Sequence, residues 1–256
     1  MDITNIIIDS IKNKLPMSFL KYGDGEYFCA VSYPGGNCDK DLYTEKKKNG
    51  LLTSFKYMVD ELPNSYIGMW HSSETQNKFW SEQSVKPIKW ADYHTLLMDG
   101  KNTEGKLEIY KTIKHSSLKK IYICNPLLVK AKSLLNIDVM IRVPFNNWFD
   151  NELENLVQII TKNIEPNEQC IIMTSAGMGA KVLICELSKL FPNNIYLDFG
   201  SALDKICTKT TSRGWEPSYE EFMNILKDII PENWNDDAYN YIYEQAKYKL
   251  GVHLSL

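Results

Sequence analysis

Asp24 and Glu26 stand two residues apart, framed by Gly23 and Gly25, at the end of the apolar stretch Ser18-Phe19-Leu20-Lys21-Tyr22. Neither His nor Cys lies beside them. Paired carboxylates without soft ligands suit a hard divalent cation, Mg²⁺ or Mn²⁺. Such a cation is held by one or two carboxylates and completes its shell with substrate phosphate oxygens. In a turn or extended segment, residues i and i+2 point to one side. The two glycines free the backbone and leave room for a bulky ligand. The same residues also describe a plain turn whose acids are solvated or cap the helix that follows, and spacing leaves both readings open. Lys21, just before the pair, is placed either to offset phosphate charge or to sit as an exposed strand lysine.

Other stretches carry related chemistry. Ser175-Ala176-Gly177-Met178-Gly179 joins an apolar run to a helical pattern, and backbone N–H groups at a helix start can hold a phosphate. The turn lacks the third glycine of a dinucleotide fingerprint and the Gly-Lys-Ser/Thr ending of a P-loop. Asp198 offers a carboxylate to a ribose or substrate hydroxyl, or a cap to its own loop. Gly200, Ser201 and Asp204 follow it. His71, after the run ending at Trp70, is the candidate general base, against the plainer reading of a satisfied loop histidine. Trp148, behind Asn146 and Asn147, is a stacking platform or simply core.

These segments recur at the ends of predicted strands. Strands are expected over 17–22, 65–70, 120–124, 137–143, 169–174 and 194–199. Helices are expected over 2–15, from Glu26 to Val31, and over 51–62, 106–115 and 126–135. Further ones begin after a cap at Asn146-Asn147 and after Gly179, with two more over 218–228 and 236–249. The aromatic-rich segment 74–98 reads as helical in parts. Alternating strands and helices with short connections predict an α/β fold. The expectation is a single Rossmann-like domain spanning 1–256, with a mostly parallel sheet of about six strands and helices on both faces. Residues 1–205 form its core, and 206–256 a helical C-terminal cap. Ligands of such sheets bind at the carboxyl ends of the strands. The loops at 23–26, 70–73, 125–126, 145–148, 175–179 and 200–204 all fall on that edge.

Composition narrows the function classes. A chain of 256 residues can bury a substantial single core. With a net charge of -3, and basic residues scattered apart from Lys46-Lys47-Lys48, no nucleic-acid footprint is expected. That lysine run reads as a solvated helix end. No apolar run approaches the about 20 residues of a transmembrane helix, and no secretory leader is evident. Six cysteines without a C-x-x-C pair argue against structural zinc and for buried thiols in a reducing, cytoplasmic setting.

In order, the chain carries Gly-Asp-Gly-Glu at 23–26, Asn-Cys-Asp at 37–39 and Val-Pro-Phe-Asn-Asn at 143–147. A glycine-containing strand-to-helix turn then lies at 175–179, and Asp-Phe-Gly-Ser-Ala-Leu-Asp at 198–204. This resembles the GT-D type glycosyltransferases, which carry an Asp-X-Glu motif. Lys21-Tyr22 stands where the family commonly has Arg-Phe, and 175–179 where it has a Gly-Pro-Thr-like turn. The resemblance implies a single Rossmann-like domain, a nucleotide-sugar donor (usually a UDP sugar) and a glycan or other hydroxyl acceptor. It implies Mn²⁺ or Mg²⁺ on Asp24 and Glu26; the base expected from the residues themselves is His71 or a carboxylate. The donor pocket expected from the positions of these loops draws on Lys21, Gly23 and Gly25, and on Ser175, Ala176, Gly177 and Gly179. Asp198, Gly200, Ser201 and Asp204 complete it, with Asn147 and Trp148. Two other functions fit the same pattern less closely. An S-adenosylmethionine methyltransferase shares the sheet but needs no acidic pair, and its usual Gly-x-Gly opening at the first strand is missing. A non-catalytic nucleotide- or carbohydrate-binding protein would bind without turnover.

Overall fold

A computed structural model describes residues 1–32, 34–37, 39–69, 73–209 and 216–234. The chain opens with α1 (Thr4–Asn13), β1 (Met17–Lys21) and α2 (Asp24–Val31). The hairpin of β2 (Gly35–Gly36) and β3 (Leu42–Tyr43) and then α3 (Glu45–Asp60) follow. Next come β4 (Ser65–Met69), α4 (Glu74–Ser81), β5 (Trp90–Asp92) and α5 (Thr103–His115). β6 (Lys119–Cys124), a 3-10 turn (Pro126–Leu128), α6 (Ala131–Leu135), β7 (Val139–Arg142) and α7 (Phe149–Thr161) lead to β8 (Cys170–Ser175). The described chain closes with α8 (Gly179–Leu190), β9 (Ile195–Asp198), α9 (Asp204–Thr208) and α10 (Tyr219–Ile225).

Seven strands make one parallel sheet in the order β5-β4-β1-β9-β8-β6-β7. Its strands are mainly apolar because both faces are buried. Alternate residues serve opposite cores. Phe19 of β1, with Ile171 and Met173 of β8, joins a cluster with Ile7, Ile109 and Leu134. Leu20 and Ile172 join the other, with Phe55, Phe149 and Leu183. The α/β class and helices on both faces are as expected, with one strand more. The extra strand, β5, is three edge residues inside the 74–98 segment, too short to show a period of two. Of the expected C-terminal cap, Phe222, Leu226 and Trp234 pack into the first cluster, and 236–249 lies outside the described residues.

Other differences matter for function. α2 starts at Asp24, not at Glu26, so both acids occupy a helix's first turn. α3 starts at Glu45, where Thr44 accepts the Lys47 amide. The Lys46–Lys48 run is therefore the beginning of a helix, and Lys47 is buried. The expected helix 126–135 is divided into the 3-10 turn and α6. Asn146-Asn147 does not cap α7. Its N-cap position is Trp148, without a side-chain cap, and Asn147 turns into the left-handed region at φ 57°.

Candidate active site

A cleft of ≈ 320 Å³ opens at the carboxyl ends of β1, β9, β8 and β6, the edge where parallel sheets bind ligands. Asp24 and Glu26 reach it from α2, Ser175 and Gly177 from the end of β8, and Gly200, Ser201 and Asp204 from beyond β9. Asn125 at the end of β6 and Tyr93 beyond β5 also face it.

Beneath these groups lies a buried charge network centred on Lys181, in the first turn of α8. Its ammonium is 2.7 Å from Glu26 Oε1 and 3.1 Å from Asp198 Oδ2, and donates to the Gly177 carbonyl at 3.3 Å. Three protons meet three acceptors, each on a different segment of the cleft. Burial alone would lower the pKa of Lys181. The carboxylates of Asp198 and Glu26 outweigh it and hold the ammonium charged, well above the ordinary lysine value. The other Glu26 oxygen, Oε2, accepts the Gly23 amide at 2.9 Å, closing the first turn of α2. Asp198 accepts the Lys21 amide at 3.1 Å and, through Oδ1, the Gly200 amide at 3.2 Å.

One wall is the hairpin segment 35–43. Asp41 accepts the Lys47 ammonium at 2.7 Å and the Asn147 amide at 2.9 Å. Asn147 Oδ1 in turn accepts the Leu42 amide at 2.8 Å. Asn146 donates to the Asp39 carbonyl at 3.1 Å. The wall is thereby pinned to the loop between β7 and α7.

The residues expected to contact a donor divide into two layers. Asp24, Gly25, Glu26, Ser175, Gly177, Gly200, Ser201 and Asp204 face the cleft. Lys21, Asp198, Ala176, Gly179 and Trp148 lie behind it. The Trp148 indole N–H donates to the Ala176 carbonyl at 3.0 Å. A side chain on Gly179 would collide with that ring, a Cβ there lying 2.8 Å from Trp148 Cζ2. Trp148 is therefore core, as its plainer reading had it, and Gly179 is glycine for close packing. Gly23 backs onto Tyr93, and Asn147 anchors the hairpin rather than the cleft. His71 lies outside the described residues. Lys181, Tyr93 and Asp41 are the groups that sequence reasoning passed over; Asn125, Asn37 and Asp39 lie on loops it singled out without naming them as site residues. A lone lysine at the start of the apolar run Val182-Leu183-Ile184-Cys185 was the available signal for Lys181.

Lys21 is buried and is not among the residues that line the cleft. Its ammonium donates to the Phe199 carbonyl at 2.6 Å and lies 5.2 Å from the centre of the Tyr93 ring. Gly200, at φ 54°, leaves room for it, since a Cβ there would stand 2.5 Å from Nζ. Burial pushes the Lys21 ammonium down to about 8 from the ordinary 10.5, with Asp198 offsetting part of the fall. Between those values the native state binds fewer protons than the unfolded chain, so this group makes stability rise with pH across the window. Below about 8 both states are protonated and the burial penalty is present in full. Lys21→Met is expected to flatten the pH dependence of the melting temperature between 8 and 10.5. An unchanged slope would show that Lys21 keeps an ordinary pKa in the fold.

A divalent cation is compatible with part of this donor set. Among the described residues no group of three or more His, Cys, Asp or Glu side chains is placed to hold a metal ion. A cation held here would take most of its shell from substrate oxygens, as Mg²⁺ usually does. Asp24 fits as a protein ligand: it is exposed on the cleft wall, with Oδ1 accepting the Gly25 amide at 3.0 Å. Glu26 also lines the cleft, but the Lys181 ammonium already occupies one lone pair of Oε1 and the Gly23 amide one of Oε2, so it has less to offer a cation than Asp24.

No family model matches the sequence, and no curated protein sequence matches it. Solved structures do. One is described as the highly conserved domain of unknown function 1792, with a distinct glycosyltransferase fold. It superposes with a TM-score of 0.56 at 16% identity, over 79% of this chain and 79% of that one. Another, described as a new glycosyltransferase (DUF1792) from Streptococcus sanguinis, superposes with a TM-score of 0.55 at 15% identity. That match covers 91% of this chain and 95% of that one. The chain has the fold of these domains, which is the fold the GT-D resemblance implied.

Proposed function

We propose that the chain transfers a glycosyl group from a nucleotide-sugar donor, a UDP sugar in the first instance, to a hydroxyl acceptor. The observation that carries this is the meeting of Asp24 and the Gly177 turn at the start of α8 in one cleft, at the carboxyl edge of a glycosyltransferase-fold sheet. The helix start and its preceding turn favour phosphate oxygens. Asp24 is the residue that would hold Mn²⁺ or Mg²⁺. When bound, the cation offsets the negative charge on the departing nucleoside diphosphate. Lys181 and Glu26 keep the helix α2 start and the Gly177 turn in register, so the phosphate-facing groups are preorganised. Ser201 and Asp204 orient sugar hydroxyls. The base that takes the acceptor proton is a carboxylate of the cleft, Asp204, or His71.

A thermal-shift panel of uridine, guanosine, adenosine and cytidine nucleotide sugars, with and without Mn²⁺, tests the reading. At a ligand concentration a hundredfold above Kd, binding adds about 2.7 kcal/mol to the native state. Stabilisation by a uridine donor that depends on Mn²⁺ is expected. Stabilisation by S-adenosylmethionine and by no nucleotide would replace this reading with methyl transfer.

A further inference from the structure

Among the described residues only two aromatic side chains are exposed, Phe28 and Phe145, and both line the cleft. They are 45% and 43% exposed. Phenylalanine left in water contributes little to a fold, and two such rings on the walls of one polar cleft mark a place for a ligand with an apolar face. Phe28 follows Asp24 by four residues on α2, so the two side chains project from one side of the helix. They are separated along it by about 6 Å, the scale of one sugar ring. Phe145 stands in the loop between β7 and α7, beside Asn146, which holds the hairpin wall. That wall presents Asn37, Asp39 and Asp41 to the cleft. Its carboxylates disfavour a further phosphate-bearing group and suit hydroxyls as donors.

A pyranose has both features required here, a C–H face for an aromatic ring and a hydroxyl edge for amides and carboxylates. We infer that Phe28 and Phe145 are the platforms for a neutral glycan acceptor, with Asn37 and Asp39 reading its hydroxyls. This rests on the glycosyl-transfer reading and narrows its acceptor from any hydroxyl compound to a neutral oligosaccharide bound at named rings.

The test uses the full chain, labelled and applied to an array of neutral and charged oligosaccharides in the presence of UDP and Mn²⁺, with UDP affinity measured in parallel by calorimetry. Retention on a subset of neutral glycans is expected. Phe28→Ala and Phe145→Ala should each weaken it about tenfold, Phe28→Tyr should preserve it, and UDP affinity should be unchanged in all three. Melting temperatures of the variants should match the parent, since both rings are exposed. Retention of no neutral glycan overturns the inference. So does a loss of UDP affinity in the alanine variants with glycan retention unchanged, which would place the rings at the nucleobase. Failure of the parent chain to bind UDP at all would instead overturn the glycosyl-transfer reading.

Discussion

Replacing Lys181 by Met is expected to lower stability by about 3–5 kcal/mol, the usual consequence of removing one partner from a buried ion pair. For a chain of this size that corresponds to a fall in melting temperature of about 6–20 °C. The cause is the uncompensated charge left behind. Glu26 and Asp198 are buried, each within hydrogen-bonding reach of the same ammonium. Methionine nearly preserves the volume, so packing loss is a small part of the effect. A second substitution separates charge from shape. Adding Glu26→Gln to Lys181→Met removes one of the two stranded carboxylates, so the double variant should be more stable than the Lys181 variant alone. Denaturant titration measures all three chains. Equal stability of parent and Lys181→Met would show that the network does not exist as described.

The second large effect falls on activity. Asp24→Asn is expected to reduce kcat/KM for transfer by about 10²–10³-fold, the size seen when one electrostatic group at a developing charge is lost. Stability should barely change, because Asp24 is exposed. Glu26→Gln should show the opposite balance. It weakens the pairing with Lys181 and the closure of α2, so the fold suffers. Mn²⁺ affinity measured with UDP present should fall less than in Asp24→Asn, because both Glu26 oxygens already accept a hydrogen bond within the protein. Electron paramagnetic resonance of bound Mn²⁺ distinguishes the two variants without relying on turnover. If Glu26→Gln abolishes Mn²⁺ binding and Asp24→Asn does not, the division of roles is reversed.

This division shows where sequence reasoning succeeds and where it stops. Apolar runs bounded by turn residues located six of the seven strands, because strands buried on both faces are mainly apolar. The rule that ligands sit at the carboxyl edge then selected the loops at 23–26, 125–126, 175–179 and 200–204, all of which line the cleft. The reading of Asp24 and Glu26 as a matched pair rested on their being in an extended or turn segment. Once the helix starts at Asp24, residues two apart diverge by about 200° around the axis, and the carboxylates part company. One meets solvent and the other turns inward to Lys181. Lys21 and Asp198 were read as ligand contacts because of where their strands end. Strand ends have an inner layer as well as a rim, and burial decides which layer a side chain joins. The hairpin wall illustrates a different limit. Its anchor joins Asp41 to Lys47 and Asn147. The second of those contacts spans 106 residues, and no local pattern reports such a distant pair.

The most direct measurement of the central claim is the release of UDP by the purified full chain from a panel of UDP sugars, with Mn²⁺ or with a chelator. The account predicts release from at least one of them, dependent on Mn²⁺ and lost in Asp24→Asn while that variant keeps its fold. Release at the parental rate by Asp24→Asn, or nucleotide binding with no release from any sugar, would contradict it.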